Sequence, residues 1–173
     1  MKKNGNRKMK KHIALLCAAA LGLCLLSGCG KGSDSTIEVF VGENSFGYTV
    51  TGVESGADGT TTVKMEMLPM TVKDGDVATN VMTLMQIGSS FAMMPYLVID
   101  GQRVDVPDDK ATMGIGGTED GKLKCVYTFI FDTADAPNEL WIYPSGRSDD
   151  KDWHYKIDPE TFKILERAAI EAE

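Results

Sequence analysis

The sequence predicts an all-β fold, an antiparallel β-sandwich with a short C-terminal helix, and three observations carry that prediction. Apolar and polar residues alternate along roughly seven or eight short runs beyond residue 37, the period-two pattern of strands with one buried face. Clusters of Gly, Asn, Asp and Pro separate these runs about every 8–12 residues. The stretch 37–173 is also long enough to bury a single core without covalent staples.

The elements follow in order. Ile37, Val39 and Val41 alternate with Glu38 and Phe40 in the first strand. Gly42-Glu43-Asn44 turns the chain into Phe46, Tyr48 and Val50, and Gly52 marks a bulge or a close backbone approach. Ser55–Gly59 is a loop by composition, and Thr60–Met67 resumes as strand with Val63, Met65 and Met67 on one face. Pro69 argues against continuation as a central strand. Beyond the Lys73–Asp76 turn two patterns compete. Val77, Val81, Leu84 and Met85 have helical spacing, with Asp76 as N-cap and Gly88 as stop, but the β-branched residues favour strand or an irregular crossing over Val81–Ile87.

Tyr96–Ile99, Asp100-Gly101 and Gln102–Val106 read as a hairpin, because Asp-Gly suits the positive φ angles of a type I′ turn. Gly114-Ile115-Gly116-Gly117 has neither the helix nor the lysine of a phosphate cradle and reads as loop, turn or short edge strand. Leu123–Phe131 is apolar on both faces in its middle and is expected at the centre of a sheet. Leu140–Tyr143 and Trp153–Ile157 are further strands. Asp158-Pro159-Glu160 then has the form of a helix start, with Phe162, Leu165 and Ala169 facing the domain.

The N-terminus has a different character. Lys2, Lys3, Arg7, Lys8, Lys10 and Lys11 precede an apolar run from Ile13 to Leu26, and Leu26-Ser27-Gly28-Cys29 follows. Basic, apolar and small-residue regions in this order are the parts of an export signal. The apolar run is shorter than the roughly 20 residues of a spanning helix. With cysteine directly after Ser-Gly, the segment resembles a bacterial lipoprotein signal peptide and its lipobox. That resemblance implies cleavage between Gly28 and Cys29, a diacylglyceryl group on the Cys29 sulfur, and attachment to the outer face of the cytoplasmic membrane. The organisation expected is residues 1–28 as signal peptide, 29–36 as lipidated cysteine and flexible tether, and 37–173 as the folded domain. Two acyl chains would make attachment lasting, since one alone holds only marginally.

The whole chain carries a charge of −7, from 18 basic and 25 acidic residues. Losing the six basic residues of the leader leaves 12 basic residues against 25 acidic ones, a charge of −13. Such a surface repels phosphate backbones and argues against a nucleic-acid partner. Of the four cysteines, Cys17 and Cys24 belong to the leader and Cys29 to the lipid. Cys125 alone remains in the domain, so no intramolecular disulfide is expected, and its apolar strand makes it a small core residue.

Phe46–Glu54, Ile99-Asp100-Gly101-Gln102, and Tyr127–Asp132 followed by Glu139–Tyr143 resemble the immunoglobulin-like domains of uncharacterised bacterial surface lipoproteins. The resemblance implies an immunoglobulin-like sandwich and brings no catalytic site with it.

Candidate chemistry is sparse. Thioether sulfur is a soft ligand for Cu(I), and Met65, Met67 and Met70 with Met93 and Met94 are the candidate metal-ligating set. Met65 and Met67 share the face expected to point inward, however, where methionine fills gaps in cores. His154 is the sole histidine beyond the leader and has no nucleophile motif to serve, so no enzymatic activity is expected. The acidic loops Asp105–Asp109 and Asp149–Asp152 are candidate calcium ligands that lack the spacing of a calcium loop. Trp141, Tyr143, Trp153 and Tyr155 are candidate aromatic contacts, with Trp153 and Tyr155 the better core residues. The function expected is a lipid-anchored, non-catalytic module without cofactor that binds a protein or peptide. The alternative is an extracytoplasmic metal-binding lipoprotein using the methionines or the acidic loops.

Overall fold

Strand alternation is realised from the first residues of the domain. In β1 (Ile37–Val41), Ile37 and Val39 are buried while Glu38 and Phe40 face solvent. Gly42 takes a positive φ of 61° and returns the chain into β2 (Asn44–Ser55). The computed structural model describes residues 33–73, 75–90, 92–144 and 153–169. Gly28, Cys29 and the acidic run 149–152 therefore lie outside the described residues. Ser33–Glu173 makes a compact unit with its own core. The tether expected over 29–36 is not coil throughout, because Ser33–Ser35 form a 3-10 turn.

β2 pairs antiparallel with β3 (Thr61–Thr71), and the register slips between Val50 and Gly52, which places a bulge where the glycine suggested one. β3 pairs on its other side with β7 (Leu123–Phe131), but only over Thr61–Met67. Pro69 sits past that point, opposite Phe46, so its missing N–H removes no bond to β7. β6 (Ala111–Gly117) pairs with β7 and ends the first sheet, whose order is β1-β2-β3-β7-β6. The glycine-rich segment is thus an edge strand rather than a turn.

The second sheet has the order β10-β9-β8-β4-β5. Its members are β4 (Met93–Ile99), β5 (Gln102–Asp105), β8 (Glu139–Pro144), β9 (Trp153–Ile157) and β10 (Ile164–Ala169). Asp100 and Gly101 take φ of 50° and 78°, the type I′ pattern, and join β4 to β5. Every pairing in both sheets is antiparallel. The chain crosses between sheets after β3, after β5 and after β7, giving an all-β sandwich.

One core lies between the sheets. Phe46, Tyr48, Met65, Met67, Phe129 and Phe131 enter it from the first sheet, and Met93, Leu97, Leu140, Ile142 and Ile157 from the second. Burying side chains of this size contributes about 1.5–3 kcal/mol each. Met65 and Met67 are completely buried, as the inward face of their strand requires.

Two elements differ from expectation. The crossing after β3 is helical: α1 (Asp76–Thr79) and α2 (Val81–Ser90) replace the strand expected over Val81–Ile87. Asn80 caps the longer helix; its Oδ1 accepts from the Thr83 N–H at 3.1 Å and its carbonyl from the Leu84 N–H at 3.0 Å. Burial of Leu84 and Gly88, one turn apart on one face, outweighs the strand propensity of the β-branched residues. Gly88 is no stop signal, since the helix runs on to Ser90.

The expected C-terminal helix is strand β10 instead. Asp158 does act as a cap, its Oδ1 accepting from the N–H groups of Glu160 at 2.9 Å and Thr161 at 3.0 Å. The turn stops at Phe162, whose φ is 59°, and Ile164–Ala169 pairs with β9. A helix of so few residues is marginal by itself, whereas pairing supplies a ladder of bonds. Leu165 and Ala169, expected to face the domain, are exposed.

Candidate binding surface

The two sheets turn different faces to solvent. On the first, Lys64 pairs with Glu54 at 2.9 Å and Lys124 with Glu66 at 2.7 Å. On the second, side-chain parity brings aromatic rings together. Tyr96 lies directly opposite Trp141, and Met94 opposite Tyr143, in the β4–β8 pairing. Their neighbours Leu97, Leu140 and Ile142 point the other way, into the core.

The Tyr96 and Trp141 rings are parallel within 1°, with centroids 6.1 Å apart. Tyr143 lies 6.0 Å from Tyr96, and the His154 ring is 5.6 Å from Tyr96 and 5.5 Å from Tyr143. Tyr96 Oη and His154 Nδ1 share a hydrogen bond of 3.2 Å. From β5, the Arg103 guanidinium stacks 4.1 Å from the Tyr96 centroid and 5.3 Å from that of Tyr143. Asp105 holds it there, accepting from Nε at 2.8 Å and from a terminal nitrogen at 2.7 Å. On the other flank Glu139 accepts from Trp141 Nε1 at 2.7 Å and pairs with Lys156, whose ammonium lies 5.6 Å from the Trp141 ring.

The electrostatics follow from this packing. Burial, with the Arg103 charge second, lowers the His154 pKa below its ordinary value. Neutral imidazole is then the form that accepts or donates beside Tyr96 at physiological pH. Lys156, then Trp141, holds the Glu139 carboxyl below the usual range. Burial raises the Tyr96 phenol. The patch therefore carries fixed positive charge at Arg103 and Lys156, each balanced by a carboxylate, around apolar rings. Such a surface recognises by stacking, cation–π contact and directed hydrogen bonds.

Of the aromatic candidates from the sequence, Trp141 and Tyr143 belong to this face. Tyr155 is buried in the core and Trp153 packs against it, as expected. Tyr96, Arg103 and His154 complete the face, although no local pattern groups them with the aromatics. They converge through strand register.

The remaining candidates do not assemble. Met65, Met67 and Met93 are buried in the core, Met94 is half-buried against it and Met70 is exposed. Asp105 is engaged with Arg103, and Asp108 and Asp109 are exposed in a single 3-10 turn. Among the described residues, no group of three or more His, Cys, Asp or Glu is placed to hold a metal ion. Cys125 is completely buried; its Sγ donates to the Leu84 carbonyl at 3.5 Å, and burial pushes the thiol up to about 11. No protein family, curated protein or solved structure gives a significant match to the chain.

Proposed function

We propose that this protein is a lipid-anchored, extracytoplasmic binding module of immunoglobulin-like type, without catalytic activity, which engages a protein or peptide through the aromatic face of its second sheet. The observation that carries this reading is the ring cluster of Tyr96, Trp141, Tyr143 and His154 on the solvent side of a sheet, braced by Arg103. Tyr96 is 9% exposed and Trp141, Tyr143 and His154 are partly exposed around it, whereas the outer face of the first sheet carries ion pairs. Buried aromatic and arginine anchors at the centre of a patch supply most of the energy at protein interfaces. The lipobox-like Leu26-Ser27-Gly28-Cys29 supports attachment through Cys29.

Two experiments test the two halves. Cys29→Ala is expected to move the protein out of the membrane fraction, and its retention there would remove the anchor. Soluble 33–173 added to intact cells is expected to be retained saturably. The Trp141→Ser/Tyr143→Ser pair should abolish retention and Lys64→Ser/Lys124→Ser should leave it, whereas equal behaviour of the two pairs would refute the aromatic face.

A further inference from the structure

We infer that the free edge of β6 is a docking site for an extended peptide, added as a sixth strand to the first sheet, with apolar side chains at alternate positions and basic residues at its ends. This rests on the reading of the chain as a binding module but uses a surface on the other sheet from the aromatic face.

The first observation is the edge itself. β6 pairs with β7 on one side and with no strand on the other among the described residues. In antiparallel pairing, alternate residues of such a strand direct N–H and C=O groups away from the sheet. The other three edges carry protecting features: Glu38 on β1, the shortness and Arg103–Asp105 pair of β5, and Glu166 and Arg167 on β10. The seven residues of β6 include no charge and no proline.

Gly114 is the second observation. Its φ is not positive, and a Cβ built there meets nothing within 4 Å. Neither backbone conformation nor packing requires glycine, although glycine inside a strand weakens it. What a bare backbone does offer is room for another chain to approach closely.

Third, the edge runs beside a continuous apolar groove. One recess of about 550 Å³ lies between α2 and β6, lined by Met82, Met85, Gln86 and Met113. A second, of about 310 Å³, continues from it past Ala111, with Met94, Tyr127 and Phe129 in its walls. Met113 and Ser89 line both. Met82 is 75% and Met85 40% exposed, so these flexible thioethers are presented to whatever enters. A strand laid on β6 points every second side chain to the groove side, so successive inward residues meet successive recesses.

Charge selects the ends of the ligand. Asp108 and Asp109 precede β6 and Glu119 follows it, all exposed, and none makes an ion pair among the described residues. Lys110 and Lys122 are already paired, with Asp132 and Asp120. Acidic groups at both ends of an apolar edge are complementary to a peptide with basic flanks.

The test uses residues 33–173 and a set of fluorescent peptides of seven residues, matching β6, with Leu, Ile, Val or Met at alternate positions and a lysine added at each end. Binding is expected in anisotropy titrations, weakened by salt and by Met82→Glu or Met85→Glu at least about tenfold, because each places a charge in an apolar recess. Met70→Glu, on an exposed methionine elsewhere, and Trp141→Ser should leave it unchanged. Hydrogen exchange should show new protection of alternate amides within Ala111–Gly117. The inference is overturned if no peptide binds up to about 1 mM, if bound peptide protects no β6 amide, or if Met70→Glu weakens binding as much as Met85→Glu. Protection of β6 by concentration-dependent dimerisation without peptide would overturn it in favour of a second copy of this chain. Loss of peptide binding in Trp141→Ser, with Met85→Glu neutral, would assign the peptide to the aromatic face instead.

Discussion

Gly88→Ala is the substitution on which helix propensity and packing disagree most sharply. At a solvated helical position, alanine is favoured over glycine by about 1 kcal/mol. Gly88 instead faces the core at the point where α2 meets β6 and β7. A Cβ there would sit 2.7 Å from Cys125 Sγ, 2.9 Å from Met113 Sδ and 3.0 Å from Tyr127 Oη. Tyr127 Oη also donates to the Gly88 carbonyl at 3.1 Å. Over-packing of this kind costs roughly 1–3 kcal/mol, and displacing the helix would forfeit a buried hydrogen bond of about 1 kcal/mol. Packing wins by a net 1–3 kcal/mol or so. Urea denaturation of residues 33–173 should give a lower midpoint at unchanged slope, and the melting temperature should fall by roughly 3–10 °C. Cys125→Ala in the same chain removes the closest atom, so the double variant should recover part of the loss, a coupling of about 0.5–1 kcal/mol. A neutral or stabilising Gly88→Ala would mean that α2 does not pack on β6 and β7 as described.

Three further outcomes follow from the same packing. Met65→Ala should cost about 2–5 kcal/mol and Met82→Ala less than about 0.5, since the first methionine is completely buried and the second 75% exposed; comparable costs in denaturant titrations would contradict the burial assignments. The Cys125 thiol, raised to about 11, should resist a thiol reagent at about pH 8 in the native protein and react at the rate of unfolding; rapid native labelling would show the strand to be accessible. His154 is held below its ordinary 6.5, so between that value and its lowered one the unfolded chain binds more protons. Stability should therefore fall as pH drops below about 6.5. His154→Gln, with Arg103, Tyr96 and Tyr143 in place around the ring, should flatten that part of the melting-temperature profile, and an unchanged slope would refute the linkage.

What the sequence made legible is local in origin. Asp100-Gly101 specifies its turn through two positive φ angles, and Gly52 its bulge, without help from distant residues. The central position of Leu123–Phe131 is written in its own two-sided apolarity. The failures arise where local chemistry is shared by two structures. Asp158 caps a helix and a turn with the same two hydrogen bonds, and only pairing with β9 decides for strand. Val81–Ser90 has strand-forming residues, but Asn80 starts a helix and Leu84 and Gly88 bury its inner face.

The candidate surfaces are non-local for the same reason. Trp141 and Tyr143 share parity within one strand and were visible as a pair. Tyr96, Arg103 and His154 join them through the β4–β8, β4–β5 and β8–β9 pairings, which no local pattern encodes. The β6 groove likewise combines methionines from a helix and a strand distant in sequence.

The most direct test of the aromatic face as the recognition surface is a photoreactive phenylalanine analogue placed at Tyr143, with Lys64 on the opposite sheet as the control position, irradiated in the anchored protein on intact cells. A discrete crosslinked species is expected from Tyr143, lost in Trp141→Ser, and none from Lys64. A crosslink of equal yield from both positions, or one from Lys64 alone, would contradict it.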